Sequence, residues 1–456
     1  MTERDGAGLD LFAGTLSAGG CAAEVGSTGW LRAMLDVEAA LARAGAVAGT
    51  VPTRAAAAIT AACADVRAYD AAALGAASAR SGNPVVELVR AIERAVTAGG
   101  DPDSGRHVHQ GATSQDVVDT AAVLVARRAG AHLLTDLDRC VAASAGLARA
   151  HGRSVMSGRT LLQRAAPTTF GLVATGWATA LDGARGRVRG VLADLPVQHG
   201  GAVGTLAASA GHGAQVRAQL ALELGLRDPG HAWHTARLPV ADVAGALGTA
   251  SGVLAKVAGD VLLLSQDEIG EVSEIAPGRG GSSTMPHKRN AVAAVSARAG
   301  SRRAPGLVAT LLSAMEQEHQ RAAGAWHSEW ETWSDLLRCT GSAASWAAES
   351  LECLQVDPDV MRRNLDASLG SWAAEGVAAE LFSALGRDDG HRRVAAAARR
   401  SAQDRRPLRE VLTEDADVAQ IIAPARLDVL FDPLSGLTEA LQDMHVRLAD
   451  LDGDTP

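Results

Sequence analysis

Residues 277–290 read PGRGGSSTMPHKRN. Four chain breakers, Pro277, Gly278, Gly280 and Gly281, stand ahead of Ser282 and Ser283, and Lys288 and Asn290 follow before an alanine-rich apolar run. Glycine and proline at that density predict a loop. The loop delivers hydroxyls, an ammonium and a carboxamide to the start of a helix, where unpaired N–H groups favour an anion. Lysine usage sharpens this reading: the chain has 41 Arg but only two Lys, Lys256 and Lys288. A compact ammonium kept at 288 points to a place that a planar guanidinium does not fit. A serine in a glycine loop ordinarily caps backbone, so the hydroxyls gain meaning only from the whole motif.

A second chemical segment is HVHQGATSQDVVDT at 107–120, with His107 and His109 ahead of Thr113 and Ser114. Turn formers fill 99–116, and Thr113, Ser114 or Asp116 can cap the helix that follows. Long helices must hold these loops. Val240, Val243, Leu247, Ala250, Leu254, Val257, Val261 and Leu264 alternate steps of three and four, which predicts a heptad seam. Trp333, Leu337, Thr340, Ala344, Ala347, Leu351 and Leu354 repeat the spacing. Helices are expected over 84–96, 116–150, 165–194, 290–320 and 328–355, forming a bundle of long helices, some of whose seams face other subunits. Val356-Asp-Pro ends the pattern ahead of a smaller, Arg-rich helical part.

Composition agrees. Aromatic residues are 3% with a single Tyr, while Ala and Leu dominate, which favours helix over sheet. A net charge of −9 argues against nucleic acid as partner but leaves room for a small anion held by a few cations. Five dispersed cysteines form no disulfide framework and no zinc spacing, so a reduced compartment is expected. The N-terminal residues lack the basic and apolar regions of a signal peptide, and no uncharged apolar run reaches the length of a membrane span, so no membrane association is expected.

PGRGGSSTMPHKRN resembles the signature loop of the fumarase/aspartase superfamily, which includes adenylosuccinate and argininosuccinate lyases. HVHQGATSQDVVDT resembles its first shared region and SGRTLLQRAAPTTFG, at 157–171, its second; GGAVGT at 200–205 is also typical. The likeness covers nearly the whole chain. It implies an all-α, three-domain fold with a long central helical bundle: an N-terminal helical domain over 1–108, the bundle over 109–355, and a small C-terminal helical domain over 356–456. It also implies a cytoplasmic homotetramer with each active site shared among three subunits, a small polycarboxylate substrate, and neither cofactor nor metal. Within the superfamily the chain is most similar to the 3-carboxy-cis,cis-muconate cycloisomerases. The likeness rests on Gln115-Asp116 after the hydroxyls, Leu161 where adenylosuccinate lyases carry His, Val295 where many relatives carry Glu, and QEHQRAAGAWHSEWE at 317–331.

The resemblance assigns roles residue by residue. The superfamily removes a proton next to a carboxylate and expels a group from the β-carbon, or runs the reverse, and the carbanion is held as a doubly negative aci-carboxylate that needs preorganised donors. Ser282 matches the general base, with Ser283 the neighbouring alternative. Lys288 and Asn290 match the groups that hold the carboxylate. Thr113, Ser114, Thr160, Gln163, Arg321 and His109 match substrate contacts, and Asn83 falls near another. Leu161 offers no proton, which fits a leaving group stable as an anion. A carboxylate fits, giving a lactone-closing cycloisomerase, and so does nitrite, giving a nitrosuccinate lyase-type enzyme. A non-catalytic scaffold of the same fold is the alternative from another class.

Overall fold

The computed structural model describes residues 11–276, 278–281, 285 and 288–453, and these are predominantly helical. The longer helices include α1 (Ser27–Val47), α2 (Val85–Ala98), α3 (Ser114–Ala150), α4 (Phe170–Ala193), α5 (Leu238–Leu264), α6 (Val292–Ser313) and α7 (Ala325–Glu352). Strands are few and short: β1 (Val155–Thr160) pairs antiparallel with β2 (Gln163–Thr169), and β3 (Val272–Glu274) with β4 (Leu354–Val356). The expected all-α class therefore holds.

The sequence periodicity lands where it was expected. All eight seam residues of α5 are buried, as are Trp333 through Leu351 on α7 and Leu354 just beyond it in β4. One expected helix starts late. Residues 163–169 form β2, so α4 begins at Phe170 rather than near 165. Pro167 explains the shift: inside a helix it would cost about 3 kcal/mol, and the flanking Thr168 and Thr169 favour strand.

The chain divides into two compact units. The first comprises residues up to 138, 183–256 and 296–347. Here Val117, Leu124 and Leu133 of α3 are buried, and Gly130 lets α3 approach residue 192 so closely that a Cβ would lie 2.2 Å from Leu192 Cδ1. Ser251 of α5 and Thr340 of α7 share a buried hydroxyl–hydroxyl hydrogen bond of 2.9 Å. α5 is long and apolar enough to span a membrane by length and composition alone, but this bond and its buried seam mark it as a helix packed on protein.

The second unit comprises 139–182, 257–295 and 348 onward. It holds the β1–β2 hairpin, the β3–β4 pair, and a C-terminal helical core of Val377, Leu381, Val394, Leu408, Leu412, Val418 and Leu427. Trp177 Nε1 donates to Asp260 at 2.7 Å, which satisfies the indole of a side chain that is 1% exposed.

Leu254, at 0% exposure in the α5 seam, sets a stability test. Leu254→Ala should cost roughly 2–5 kcal/mol through lost burial and the cavity left behind. Leu222→Ala, at a position 75% exposed, should stay within about 0.5 kcal/mol. Urea midpoints of the two variants against the parent provide the check.

Candidate active site

In the first unit the site grows from the start of α3. The chain turns through His109 and Gly111, both in the left-handed region at φ 62° and 79°. It then enters the helix with Thr113 as the residue before the first turn. Asp116 N–H donates to the Thr113 carbonyl at 2.9 Å, and the Thr113 N–H donates back to Asp116 Oδ2 at 3.0 Å. The Asp116 carboxylate thus supplies one half of a capping box, holding the N–H of the residue that precedes the helix. It fixes Thr113 and Ser114 at the positive end of a 37-residue helix.

Asp116 does more than cap. Its Oδ1 accepts from Gly200 N–H at 3.0 Å and from His234 Nε2 at 2.7 Å, and its Oδ2 also accepts from Gly201 N–H at 2.9 Å. Gly200 has no alternative residue here, since a Cβ would lie 2.5 Å from the Ala232 side chain. Burial pushes the Asp116 pKa upward. The His234 hydrogen bond, the charges of His199 and His234 and the Gly201 N–H outweigh it, and the net lies below the ordinary carboxylate range. The His199 ring is buried 3.8 Å from Asp116, neither of its nitrogens has a hydrogen-bond partner among the described residues, and burial lowers its pKa.

Arg321 reaches the same helix start. Its Nη1 donates to Gln115 Oε1 at 3.0 Å, and its Nη2 donates to Thr113 Oγ1 at 3.3 Å and to the Ala202 carbonyl at 2.8 Å. All three acceptors are neutral. No carboxylate among the described residues pairs with this guanidinium, so its charge stays available for an incoming anion. His109 adds an ionisable group backed by a carboxylate. Its Nδ1 lies 2.6 Å from Oε1 of the fully buried Glu38 on α1. Burial pulls the imidazole pKa down, the Glu38 charge and hydrogen bond push it up, and the net is upward.

One turn further along α3, Asp119 accepts from Arg237 Nη1 at 2.8 Å, Arg237 Nη2 at 3.1 Å and Trp326 Nε1 at 2.9 Å. Arg237 also holds Glu329 on α7, with Nε donating at 3.0 Å and Nη2 at 2.5 Å. Two buried carboxylates thus share one buried guanidinium, whose pKa is raised despite its burial.

In the second unit Thr160 and Gln163 face one another in register at the end of the β1–β2 hairpin. Leu161 and Leu162 form the tip, both at positive φ, 50° and 65°, and 96% and 71% exposed. The bidentate pair of Arg159 with the buried Glu271, at 2.9 and 2.7 Å, anchors the strand behind them. Asn290 donates through its backbone and its side chain to the Gly280 carbonyl, at 2.8 and 3.2 Å. Lys288 is exposed and its N–H donates to the Met285 carbonyl. The N-terminus of α6 holds an anion from the protein itself: Glu274 accepts from Ala293 and Ala294 N–H at 3.0 and 2.9 Å. Ser282, Ser283 and His287 lie outside the described residues. Among those described, no cluster of His, Cys, Asp or Glu is arranged to hold a metal ion.

The first unit therefore brings Thr113 and Arg321 together, with Ser114 and His109 on the flanking residues. The second carries Thr160 with Gln163, and separately Lys288 with Asn290. Sequence reasoning missed Glu38, Asp119, His199, His234, Arg237 and Glu329, and took Asp116 as a possible cap and a mark of family likeness rather than as a site residue. Glu38 did carry a signal, as a lone acid among the apolar Leu31, Met34, Leu35 and Leu41.

Comparison with known proteins follows this geometry. The family described as Lyase matches residues 23–306, and that described as adenylosuccinate lyase C-terminus matches 370–442. A 3-carboxy-cis,cis-muconate cycloisomerase of Pseudomonas aeruginosa is 46% identical over 92% of this chain and 92% of its own length. A nitrosuccinate lyase of Streptomyces davaonensis is 44% identical over 90% and 88%. The crystal structure of a 3-carboxy-cis,cis-muconate lactonizing enzyme from Pseudomonas putida matches with a TM-score of 0.91 at 39% identity, covering 98% of this chain and 100% of that one.

The shared guanidinium sets a second test. Arg237→Ala leaves Asp119 and Glu329 buried without a counter-charge and should cost about 3–5 kcal/mol near neutral pH. Burial already holds the Glu329 carboxyl above its ordinary range, and loss of the guanidinium favours its protonated form further, so protonation in the folded state relieves the deficit as pH falls. Urea midpoints of variant and parent should converge on acidification; a constant gap overturns the assignment.

Proposed function

The chain belongs to the fumarase/aspartase lyase superfamily, and from that premise we propose that it is a cycloisomerase closing 3-carboxy-cis,cis-muconate to 4-carboxymuconolactone, a step of protocatechuate catabolism. The observation that carries the reading is Leu161 at the exposed hairpin tip, between Thr160 and Gln163. It stands where amine-expelling relatives keep a proton donor. A group that enters or leaves there must be stable as an anion, and a carboxylate is. The near-full-length match to the cycloisomerases supports the same substrate.

In the lactone-forming direction a substrate carboxylate oxygen adds to one alkene carbon. The electron pair moves to the neighbouring carbon, beside a second carboxylate, and is held as an aci-carboxylate. The Lys288 ammonium offsets one of its two charges and the Asn290 amide donates a hydrogen bond to it. The Ser282 hydroxyl then protonates the carbanion on the face opposite the new C–O bond; in reverse, the Ser282 alkoxide removes that proton. Thr113, Ser114, His109 and Arg321 hold the remaining carboxylates, and Thr160 and Gln163 contact the substrate from the hairpin. No cofactor takes part.

The assembly we propose is a homotetramer with each site shared among three subunits. The outward stripe of α5 supports it: Gly245, Gly252 and Gly259 repeat at seven residues, and a Cβ at any of them would meet nothing within 4 Å. Such a stripe admits a neighbouring helix at close range, and only half of the most apolar window of α5 is covered within one chain. The five free cysteines support a reduced, cytoplasmic setting.

A second reading, release of nitrite and fumarate from nitrosuccinate, is favoured by the 44% identity to the Streptomyces enzyme. Purified protein given each acid separates the two: loss of diene ultraviolet absorbance supports lactone closure, and nitrite release supports the alternative. Ser282→Ala should abolish turnover while the assembly stays intact; full activity in that variant removes Ser282 from the mechanism.

A pH test addresses His109. Its raised pKa keeps the imidazolium present to higher pH, so its help in binding a polyanion is lost as pH rises through that value. Glu38→Gln removes the opposing charge, and burial then lowers the His109 pKa. The rise in KM should move to lower pH in that variant. Superimposable KM–pH profiles would exclude His109 as an anion contact.

A further inference from the structure

Three neutral acceptors hold Arg321, and two of them hang from one carboxylate. Thr113 offers its Oγ1, and its own backbone N–H donates to Asp116 Oδ2 at 3.0 Å. Ala202 offers its carbonyl, and the two residues before it, Gly200 and Gly201, donate their N–H groups to Asp116 at 3.0 and 2.9 Å. The third acceptor, Gln115, is the residue before Asp116 on α3 and is itself tied to the His234 carbonyl at 2.8 Å. The His234 ring closes the arrangement from the other side, with Nε2 2.7 Å from Asp116 Oδ1. Asp116 is 2% exposed and cannot touch substrate through this shell of donors.

We propose that Asp116 is a positioning residue for the substrate clamp: by gathering the Thr113 N–H, the Gly200–Gly201 turn and the His234 ring on one carboxylate, it sets where the Arg321 guanidinium meets a substrate carboxylate. The inference rests on the reading of Arg321 as a carboxylate contact. A carboxylate suits the task because every group around it is a donor. Asparagine is nearly the same shape, but its NH2 would replace an oxygen that takes two donors, Gly200 N–H with the His234 ring or Thr113 N–H with Gly201 N–H, so two legs of the gather must let go.

A residue acting through Arg321 changes binding more than chemistry. Asp116→Asn should raise KM roughly tenfold or more with kcat changed less than about threefold, the pattern expected when binding common to ground and transition states is lost. Arg321→Ala should raise KM by at least as much. In the double variant Asp116→Asn/Arg321→Ala, KM should match that of Arg321→Ala alone, because the group that Asp116 positions is gone. Losses that multiply in the double variant overturn the proposal, since a merely structural role predicts them. An unchanged KM in Asp116→Asn, with Arg321→Ala raised, overturns the positioning role and leaves the clamp standing. An unchanged KM in Arg321→Ala overturns the clamp reading itself, and the proposal with it.

Should Asp116→Asn fail to fold, His234→Leu serves in its place, since the imidazole makes its one described side-chain bond to Asp116. KM should rise in His234→Leu and return in His234→Gln, whose amide can donate to the same oxygen. No rise in His234→Leu, or no return in His234→Gln, overturns the proposal.

Discussion

A carboxylate removed from water must be met by donors, and α3 buries two of them, Asp116 and Asp119, within one turn. An unpaired charge at such depth costs several kcal/mol, so the surrounding chain is committed to meeting them. Asp116 is met by backbone N–H groups and an imidazole, which are mostly neutral and fixed in direction. Asp119 is met by the Arg237 guanidinium, the Trp326 indole and two amide side chains. The first solution orders loops, and the second ties α3 to α7 through Glu329. Thr113, the Gly200–Ala202 turn and Arg321 take their places as a consequence of these two demands.

The same accounting explains how an acidic chain builds a cationic site. With a net charge of −9, long-range attraction does not draw in a polyanion. Local bookkeeping does the selecting: among the described residues Arg321 is held by neutral oxygens, and the Glu38 carboxylate sealed behind His109 on α1 shifts its pKa upward against burial. Glu38 Oε2 has no hydrogen-bond partner among the described residues, which keeps its charge directed at the imidazole. In the second unit Glu274 occupies the α6 N-terminus, so that helix end is already met by an anion of the protein itself.

Fold and site were legible in the sequence to different depths, for physical reasons. The α5 seam was readable because burial repeats with the helical period, and every predicted seam residue is buried. The start of α4 was not, because an alanine-rich run hides a strand until Pro167 is weighed against helix. Thr113 and Arg321 could be placed by motif, but what holds them could not. Asp116 meets residues 84, 85 and 118 positions away, and Arg237 meets Asp119 and Glu329 across 118 and 92. Contacts at such separations leave no local period. Glu38 was the exception in principle, since an acid inside an apolar stripe signals a buried partner even when the partner cannot be named.

The hairpin tip carries backbone strain in the open. Leu161 and Leu162 occupy the left-handed region, where a Cβ costs roughly 1–2 kcal/mol per residue and Asn-Gly is the ordinary choice. Both side chains point into solvent within one chain, so packing inside that chain does not repay the strain. It is held in place from behind. The antiparallel register fixes Thr160 opposite Gln163, and Arg159 is clamped by Glu271, which Asn364 holds in turn at 2.9 Å. Strain that is rigidly supported and unrewarded locally belongs to a surface meeting something else. An apolar tip flanked by a hydroxyl and an amide can shape a pocket and orient a carboxylate, but it cannot give up a proton. Under the function proposed above, that narrows the chemistry to groups that come and go as anions.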